Sequence, residues 1–532
     1  MTGWGWLQRG AIEEEEQFRK ALEAPAAAQR RLLERILSGA ADTVFGREHG
    51  LAGMGPEDFV RHVPVRDYEG LRPYIDRCAD GEPGVLTQEP VLAFEETGGT
   101  ASGGKLVPMT AGSLAAFRAA VLPWLSDLLR RHPAIMRGRA YSAVGPAGRP
   151  PRRTRSGIPV GPCSDAEYLG ADAGPALAAI SAVPAEVGRI ADLRAWAVMT
   201  AAHLVAAPDL SFVSVWSPTF LAAILDVIET EPERVCAALD EGGPGLPASP
   251  LRRRALLEAL GSGRPPASLL WPKIAVVSAW ADGPSQGYAK ALAARVPQAF
   301  LQPKGLLATE GAITVPFGGA RLPALTATFL EFMDGAGATA LADALRPGET
   351  YRVLLTTPGG LYRYDIGDQV LCMGLPGGVP DLGFVGRAGC ACDLVGEKLT
   401  EAFVSACLAD LAGFAVLVPA RRRAGYLLVT DRGLPDEAEP IERALRRNPQ
   451  YAYAVDIGQL APLRAVRAQD GMAAYVRWAM SRGRRLSDIK PPRLFPDAAG
   501  AEEVWPGLRE SPIVPRDGAP SSFRSGFSGA PA

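Results

Sequence analysis

Hydrophobic and polar positions alternate along the chain in two periods. Over residues 13–38, Phe18, Leu22, Leu32, Leu33, Ile36 and Leu37 recur at helical spacing. This predicts an amphipathic helix with the run Glu13-Glu14-Glu15-Glu16 as its solvated start. Thr110 is placed to cap a helix reaching Arg131, with Pro123 inside it and His132-Pro133 as its stop. Residues 189–207 are also helical in spacing, and residues 211–216 alternate as a strand. That strand ends at Ser217-Pro218-Thr219, where Thr219 is predicted to cap a helix beginning near Phe220. Residues 274–278 read as a buried strand before the turn Asp282-Gly283-Pro284. Strands alternating with helices over several hundred residues predict an α/β fold with largely parallel sheets.

Past residue 386 the pattern changes. Residues 415–418 and 426–429 form short apolar strands, with helices expected from Pro440 to Arg447 and over residues 471–482. The organisation predicted is a large N-terminal domain over residues 1–386, with β-sheets flanked by helices, and a small mobile α+β domain over 387–498. A tail over 499–532, Gly/Ser/Pro-rich from Ser511 on, is expected to be disordered.

Composition narrows the function. A formal net charge of -2 gives no general attraction to nucleic acid or to anionic membranes. The most apolar region, residues 195–215, is broken by His203, Pro208 and Asp209 and is too short and polar to span a bilayer. The 7 cysteines, odd in number and scattered, make no disulfide framework. Residues 1–10 hold Trp4, Trp6 and Arg9 without the apolar core of a signal peptide. The expectation is a cytoplasmic enzyme of small molecules, with no nucleic-acid or membrane partner; its oligomeric state is not written in the sequence.

The densest chemistry lies in residues 94–108. Thr97, Thr100 and Ser102 supply hydroxyl donors, Gly98 and Gly99 let successive N–H groups turn inward on an anion, and Lys105 adds a point charge. Such a loop can hold polyphosphate. Residues 99–105 also fit G-x-x-x-x-G-K, but Leu106 stands where a P-loop needs Ser or Thr for magnesium. Val107 is β-branched and Pro108 follows it, so the segment reads as strand, loop, strand.

Four later stretches carry further candidates. Ala308-Thr309-Glu310-Gly311 follows an apolar run, and Glu310 could ligate magnesium while Thr309 meets a phosphate oxygen. Asp368 could accept both hydroxyls of a ribose or simply close a turn. Cys390 and Cys392 lack the further Cys or His ligands that structural zinc wants. Arg152, Arg153 and Arg155 could attract an anion or be a solvated loop.

Taken in order, residues 94–108, 304–311, 361–370 and 384–401 resemble the auxin-responsive Gretchen Hagen family of acyl-acid amido synthetases, within the adenylate-forming class that includes acyl-CoA ligases and luciferases. The similarity runs from about Arg31 to about Phe495, looks closer to bacterial than to plant members, and is supported by Val63-Pro64-Val65 through Tyr68, residues 156–161, residues 216–221 and Glu331-Phe332. It implies an adenylate-forming N-terminal domain, ATP and Mg2+ as cofactors, and a carboxylic acid and an amine or amino acid as partners. By the resemblance, residues 97–105 grip the ATP phosphates, residues 308–311 form the adenine and magnesium motif, and Asp368 holds the ribose. Arg387 precedes the interdomain hinge. Lys398, in Gly396-Glu397-Lys398, approaches the α-phosphate, and Lys490, in Lys490-Pro491-Pro492-Arg493, is similar to the C-terminal lysine element. Trp216, Pro218, Thr219 and Phe220 are expected to border the acyl pocket, although core packing accounts equally well for a Trp and a Phe.

The sequence departs from the family at Gly98, where Ser is usual, at Ser102, where Gly is frequent, and at Leu307, where many members carry an aromatic. The implied activity is activation of an acid as acyl-adenylate, then transfer to an amine. Transfer to another acceptor such as coenzyme A, and nucleotide binding without catalysis, are the alternatives.

Overall fold

The computed structural model describes residues 3–97, 105–142, 152–161, 168–170, 173–387, 391–395, 397–411, 413–420, 424–432, 435–484, 486 and 489–510. The first helical pattern resolves into two helices, Gly3–Glu23 and Pro25–Ala40. Pro25 has no N–H to donate back into the preceding turn, so the break falls there. The acidic run is therefore mid-helix: Glu15 accepts from Arg19 and also meets Ser126 and Arg130 on the helix Ala111–Arg131. That helix matches expectation, with Thr110 accepting from Ser113 N at 3.2 Å as its cap and His132 at its end.

Three larger sheets build the large lobe. Strands Arg139–Ser142, Leu210–Ser214, Val276–Ala279 and Phe300–Pro303 lie side by side and parallel. Every position of Val276–Ala279 is buried, as a parallel sheet covered on both faces requires. Phe212 and Val276 pack towards Trp4, Leu125 and Leu129, and Val213 and Val277 towards Ile224 and Leu292.

The second sheet runs Thr339–Ala340, Phe329–Met333, Thr350–Thr356, Tyr364–Gly374, Asp381–Arg387, all antiparallel. The third is Lys105–Met109, Ala93–Thr97, Pro159–Val160, Arg152–Arg153. The largely parallel arrangement expected thus holds only for the first sheet. In the second, neighbours follow one another through short connections, which join antiparallel strands without a crossover helix.

The small lobe is a three-stranded sheet of Ala415–Pro419, Gly425–Thr430 and Ala461–Arg467. Leu417, Tyr426 and Leu428 pack beneath helices Glu401–Cys407, Pro435–Leu445 and Pro449–Asp456; Val416, Val418 and Val429 pack under Gly471–Ser481. Pro440 lies inside Pro435–Leu445 rather than at its first position.

The tail expected to be disordered from residue 499 gives way in its first part. Ala498–Val504 is a helix capped by Asp497, and Trp505, buried on the small sheet, donates from Nε1 to Gly471 O at 3.0 Å. Its indole anchors a segment whose small and acidic residues suggested no core. Residues 511–532 lie outside the described residues.

Candidate active site

The glycine-rich loop is carried on a hairpin, as predicted. Ala93–Thr97 and Lys105–Met109 pair antiparallel, with Thr97 opposite Lys105. Gly98, Gly99, Thr100 and Ser102, and the side chain of Thr97, lie outside the described residues. Lys105 Nζ stands 5.2 Å from the ring centre of Tyr68, whose hydroxyl accepts from Leu106 N at 2.9 Å. Tyr68 opens the helix Tyr68–Ala79, capped by Asp67. Beside the hairpin, Arg152 pairs with Glu96 at 2.6 Å, so one arginine of the basic cluster is tied to this strand.

Glu310 arrives on a second hairpin. Leu307–Ala308 and Gly311–Ala312 pair antiparallel and leave Thr309 and Glu310 at the tip. Burial pushes the Glu310 carboxyl above its ordinary value; the charges of Arg387 and Lys105 pull it down, and Asp368 adds to the rise. Asp368 comes from the strand Tyr364–Gly374, whose alternation puts it in the inward row with Tyr364, Ile366, Val370 and Cys372. It faces Arg387 across the strand pair, and Arg387 Nε donates to Asp368 Oδ1 at 3.0 Å. Asp368 is 5% exposed, and burial raises its carboxyl against the opposing charges of Arg387 and Lys490.

Lys490 belongs to the small lobe. Leu417 N donates to Arg493 O, and Phe495 N to Leu417 O, both at 2.8 Å, so this stretch lies along an edge of the small sheet. Arg493, 2% exposed, bridges the lobes: Nη1 donates to Ala415 O at 3.0 Å and Nε to Pro284 O at 3.1 Å, with the guanidinium 4.2 Å from the ring centre of Tyr288. Gly287 makes the room, since a Cβ there would lie 2.3 Å from Arg493 Nη2. Held this way, Lys490 Nζ stands 3.7 Å from the ring centre of Trp280 and acts on both Asp368 and Glu401.

Lys105, Glu310, Asp368, Arg387 and Lys490 are thus brought together, with Ala308, Thr309 and Gly311 framing Glu310. Lys398 is not. It is exposed on a turn at φ 47°, and among the described residues it enters none of the interactions above. Its neighbour Glu397, 1% exposed, builds that turn by accepting from Leu394 N at 2.8 Å, from Val395 N at 2.9 Å and from the Tyr426 hydroxyl.

The expected acyl-pocket group divides. Pro218 is the first residue of the helix Pro218–Thr230 and is buried; Phe220, 2% exposed, packs 5.8 Å from Trp196 in the core beside the parallel sheet. Phe220 is a core residue, because the start of this helix turns it onto the sheet. Ser217, not Thr219, is the cap position, and the two hydroxyls lie 2.6 Å apart. Trp216 is half-buried and pairs with Trp280, ring centres 5.9 Å apart. Tyr68 closes the stretch that begins at Val63-Pro64-Val65, whereas Trp280 and Trp124 had no motif to mark them; an aromatic just past a strand, as at Trp216 and Trp280, was the available signal.

Comparison with known proteins gives the following. The profile described as the GH3 family N-terminal domain matches residues 14–299, and that of the GH3 family central domain matches residues 322–387. The chain is 41% identical over 83 residues to indole-3-acetic acid-amido synthetase GH3.6 of Arabidopsis thaliana, covering 15% of this chain and 14% of that protein. It is 38% identical over 90 residues to jasmonoyl–L-amino acid synthetase GH3.3 of Oryza sativa subsp. japonica, covering 16% of this chain and 20% of that protein. The matched segments are therefore a small part of those relatives.

Among solved structures, the AtGH3.15 acyl acid amido synthetase in complex with 2,4-DB superposes with a TM-score of 0.79 at 18% identity, covering 93% of this chain and 95% of that one. A 2-hydroxyisobutyryl-CoA ligase in the postadenylation state superposes with a TM-score of 0.50 at 14% identity, covering 92% and 93%. At these identities the likeness is one of fold.

Proposed function

The chain belongs to the GH3 family, and on that footing we propose that it is an ATP-dependent, AMP-forming ligase. It activates a carboxylic acid as an acyl-adenylate and passes the acyl group to an amine, with an amino acid as acceptor. One observation carries this reading: the Arg387–Asp368 pair, closed at 3.0 Å, lies within electrostatic reach of Glu310 on one side and of Lys490 from the small lobe on the other, and Glu310 within reach of Lys105.

In the first half-reaction a carboxylate oxygen attacks the α-phosphorus of ATP, the bond to pyrophosphate breaks, and pyrophosphate leaves. Two anions have to be held together while charge gathers on the phosphate oxygens. Lys105, Arg387 and Lys490 offset that charge, the loop of Thr97, Gly98, Gly99, Thr100 and Ser102 holds the polyphosphate, and Asp368 accepts the ribose hydroxyls. A magnesium ion fits this donor set. Among the described residues no three His, Cys, Asp or Glu form a cage on their own, and Glu310 beside a polyphosphate supplies the carboxylate-and-phosphate shell that this cation takes. Bound there, it would stabilise the phosphate charge as a Lewis acid.

In the second half-reaction the amine nitrogen attacks the acyl carbon and AMP leaves. Rotation of the small lobe past Arg387 withdraws Lys490 and opens the way for the amine. No helix among the described residues is long and apolar enough to cross a membrane. A cytoplasmic setting, with a small acid and a small amine as partners, belongs to the same proposal.

The test is carboxylate-dependent exchange of label between pyrophosphate and ATP over a broad panel of acids. Exchange is expected with some acid and is expected to vanish in Lys105→Ala; its absence throughout would overturn the reading. Product masses from parallel incubations with amino acids and with coenzyme A then decide the acceptor.

A further inference from the structure

Lys304 plays no part in the scheme above, yet it has an unusual setting. Its ammonium donates to Ser214 Oγ at 2.8 Å and stands 4.7 Å and 4.9 Å from the ring centres of Trp124 and Trp216. Among the described residues no carboxylate pairs with it, and burial alone pushes the ammonium down to about 7. Two indoles attract a cation. They do not replace the hydration that an ammonium gives up, so a caged lysine without an anion is an unfinished site.

The position of the cage says what finishes it. Ser214 closes the strand Leu210–Ser214 and Trp216 follows it; Trp280 follows Val276–Ala279, and Lys304 follows Phe300–Pro303. All four therefore stand at the carboxyl edge of the parallel sheet, where α/β sheets bind their ligands. Trp216 pairs with Trp280 at 5.9 Å, and Trp280 carries Lys490 at 3.7 Å. The two lysines thus contact different members of one tryptophan pair, Lys490 at the end that meets Asp368 and Lys304 at the other. A reacting carboxylate has to lie at the Lys490 end, with the phosphate. The group that meets Lys304 is then a second one, at the far end of the same acid.

We propose that Lys304, caged by Trp124 and Trp216, is the specificity end of the acyl pocket, and that the acid activated is a dicarboxylic acid whose distal carboxylate pairs with Lys304. The inference rests on the ligase reading for which carboxylate reacts; the pairing itself can be measured without turnover.

The experiment is titration calorimetry with linear dicarboxylic acids of graded length and their monocarboxylic counterparts, in the presence of a non-hydrolysable ATP analogue. Diacids of one length are expected to bind at least about tenfold more tightly than the matched monoacid, the size of one charge-assisted pair of about 1.4 kcal/mol or more. Lys304→Met is expected to erase that preference and Lys304→Arg to retain part of it. Equal binding of diacids and monoacids by the unaltered protein, no binding by any diacid, or a preference that survives in Lys304→Met would each overturn the proposal; the first two need no variant to fold. A diacid that binds through Lys304 but supports no pyrophosphate exchange would leave the pairing standing and overturn its role in activation; only absence of exchange with every acid of the wider panel would sink the ligase reading.

Discussion

Among the arginine–carboxylate pairs of the five-stranded sheet and its flank, two differ in how completely they are closed. In one, Arg363 Nε and Nη2 meet the two oxygens of Glu331 at 2.9 Å and 2.8 Å, while Nη1 donates to the carbonyls of Val60 and Val63 at 2.5 Å and 2.7 Å. Arg363 and Glu331 are 6% and 2% exposed, and Arg363 holds the left-handed φ of 45° that lets its backbone N–H reach Thr356 Oγ1 at 3.0 Å. In the other pair, Arg387 meets one oxygen of Asp368 at 3.0 Å, its side chain is 53% exposed, and Lys490 acts on the same carboxylate.

The closed pair has its charges and donors spent on the fold: it clamps the Val60–Val63 backbone onto the sheet. In the open pair the carboxylate is desolvated but its cation reaches solvent, so a ligand can re-divide the charges without unfolding anything.

The largest effect should separate the two pairs outright. Arg363→Met strands a buried carboxylate and is expected to destabilise the fold by about 3–5 kcal/mol. Arg387→Met should change stability by less than about 1 kcal/mol and lower pyrophosphate exchange by about 10²-fold. Thermal unfolding and exchange on both variants check this, and the opposite assignment of effects would break the comparison. Lys490→Met should likewise cut exchange about 10²–10³-fold at an unchanged unfolding temperature. Lys398→Met, which touches none of the contacts described at the site, should leave exchange as it was.

A smaller effect probes the dock that holds Lys490 in place. Gly287→Ala drives a Cβ against Arg493 and should cost about 1–3 kcal/mol, read as faster limited proteolysis between the lobes and weaker exchange. The smallest is a pH effect on the open side. Burial raises the Glu310 and Asp368 carboxyls, so the folded chain takes up protons at higher pH than the unfolded one. Stability should therefore rise as pH falls from neutral through their folded values towards the ordinary carboxylate range. Glu310→Gln should flatten that slope in unfolding temperatures measured between about pH 7 and pH 5.

Several elements were legible because their causes are local. Val107 and Pro108 exclude a helix after Lys105, and the hairpin follows. Thr110 caps its helix because its hydroxyl lies within reach of the N–H three residues on. The inward face of Asp368 could also have been read, since it falls in phase with Tyr364, Ile366, Val370 and Cys372. Three strands of the parallel quartet were visible in their apolar runs, but Arg139–Ser142 was not; the antiparallel sheet beside it was not visible either, because strand direction depends on connections whose path the residues themselves do not state.

What the sequence determined alone was the inventory: a loop able to cradle phosphates, a carboxylate on a tight hairpin, another in an apolar row, and a lysine between prolines and apolar strands. Tertiary structure decided which of these meet. Strand register set Arg387 opposite Asp368, and the rotation of one helix on its sheet put Phe220 in the core while leaving Trp216 at the cleft. The seat of Arg493 between Gly287 and Ala415 set Lys490 against Trp280. Those choices depend on contacts between residues hundreds of positions apart, and periodicity, which sees only neighbours, carries no trace of them.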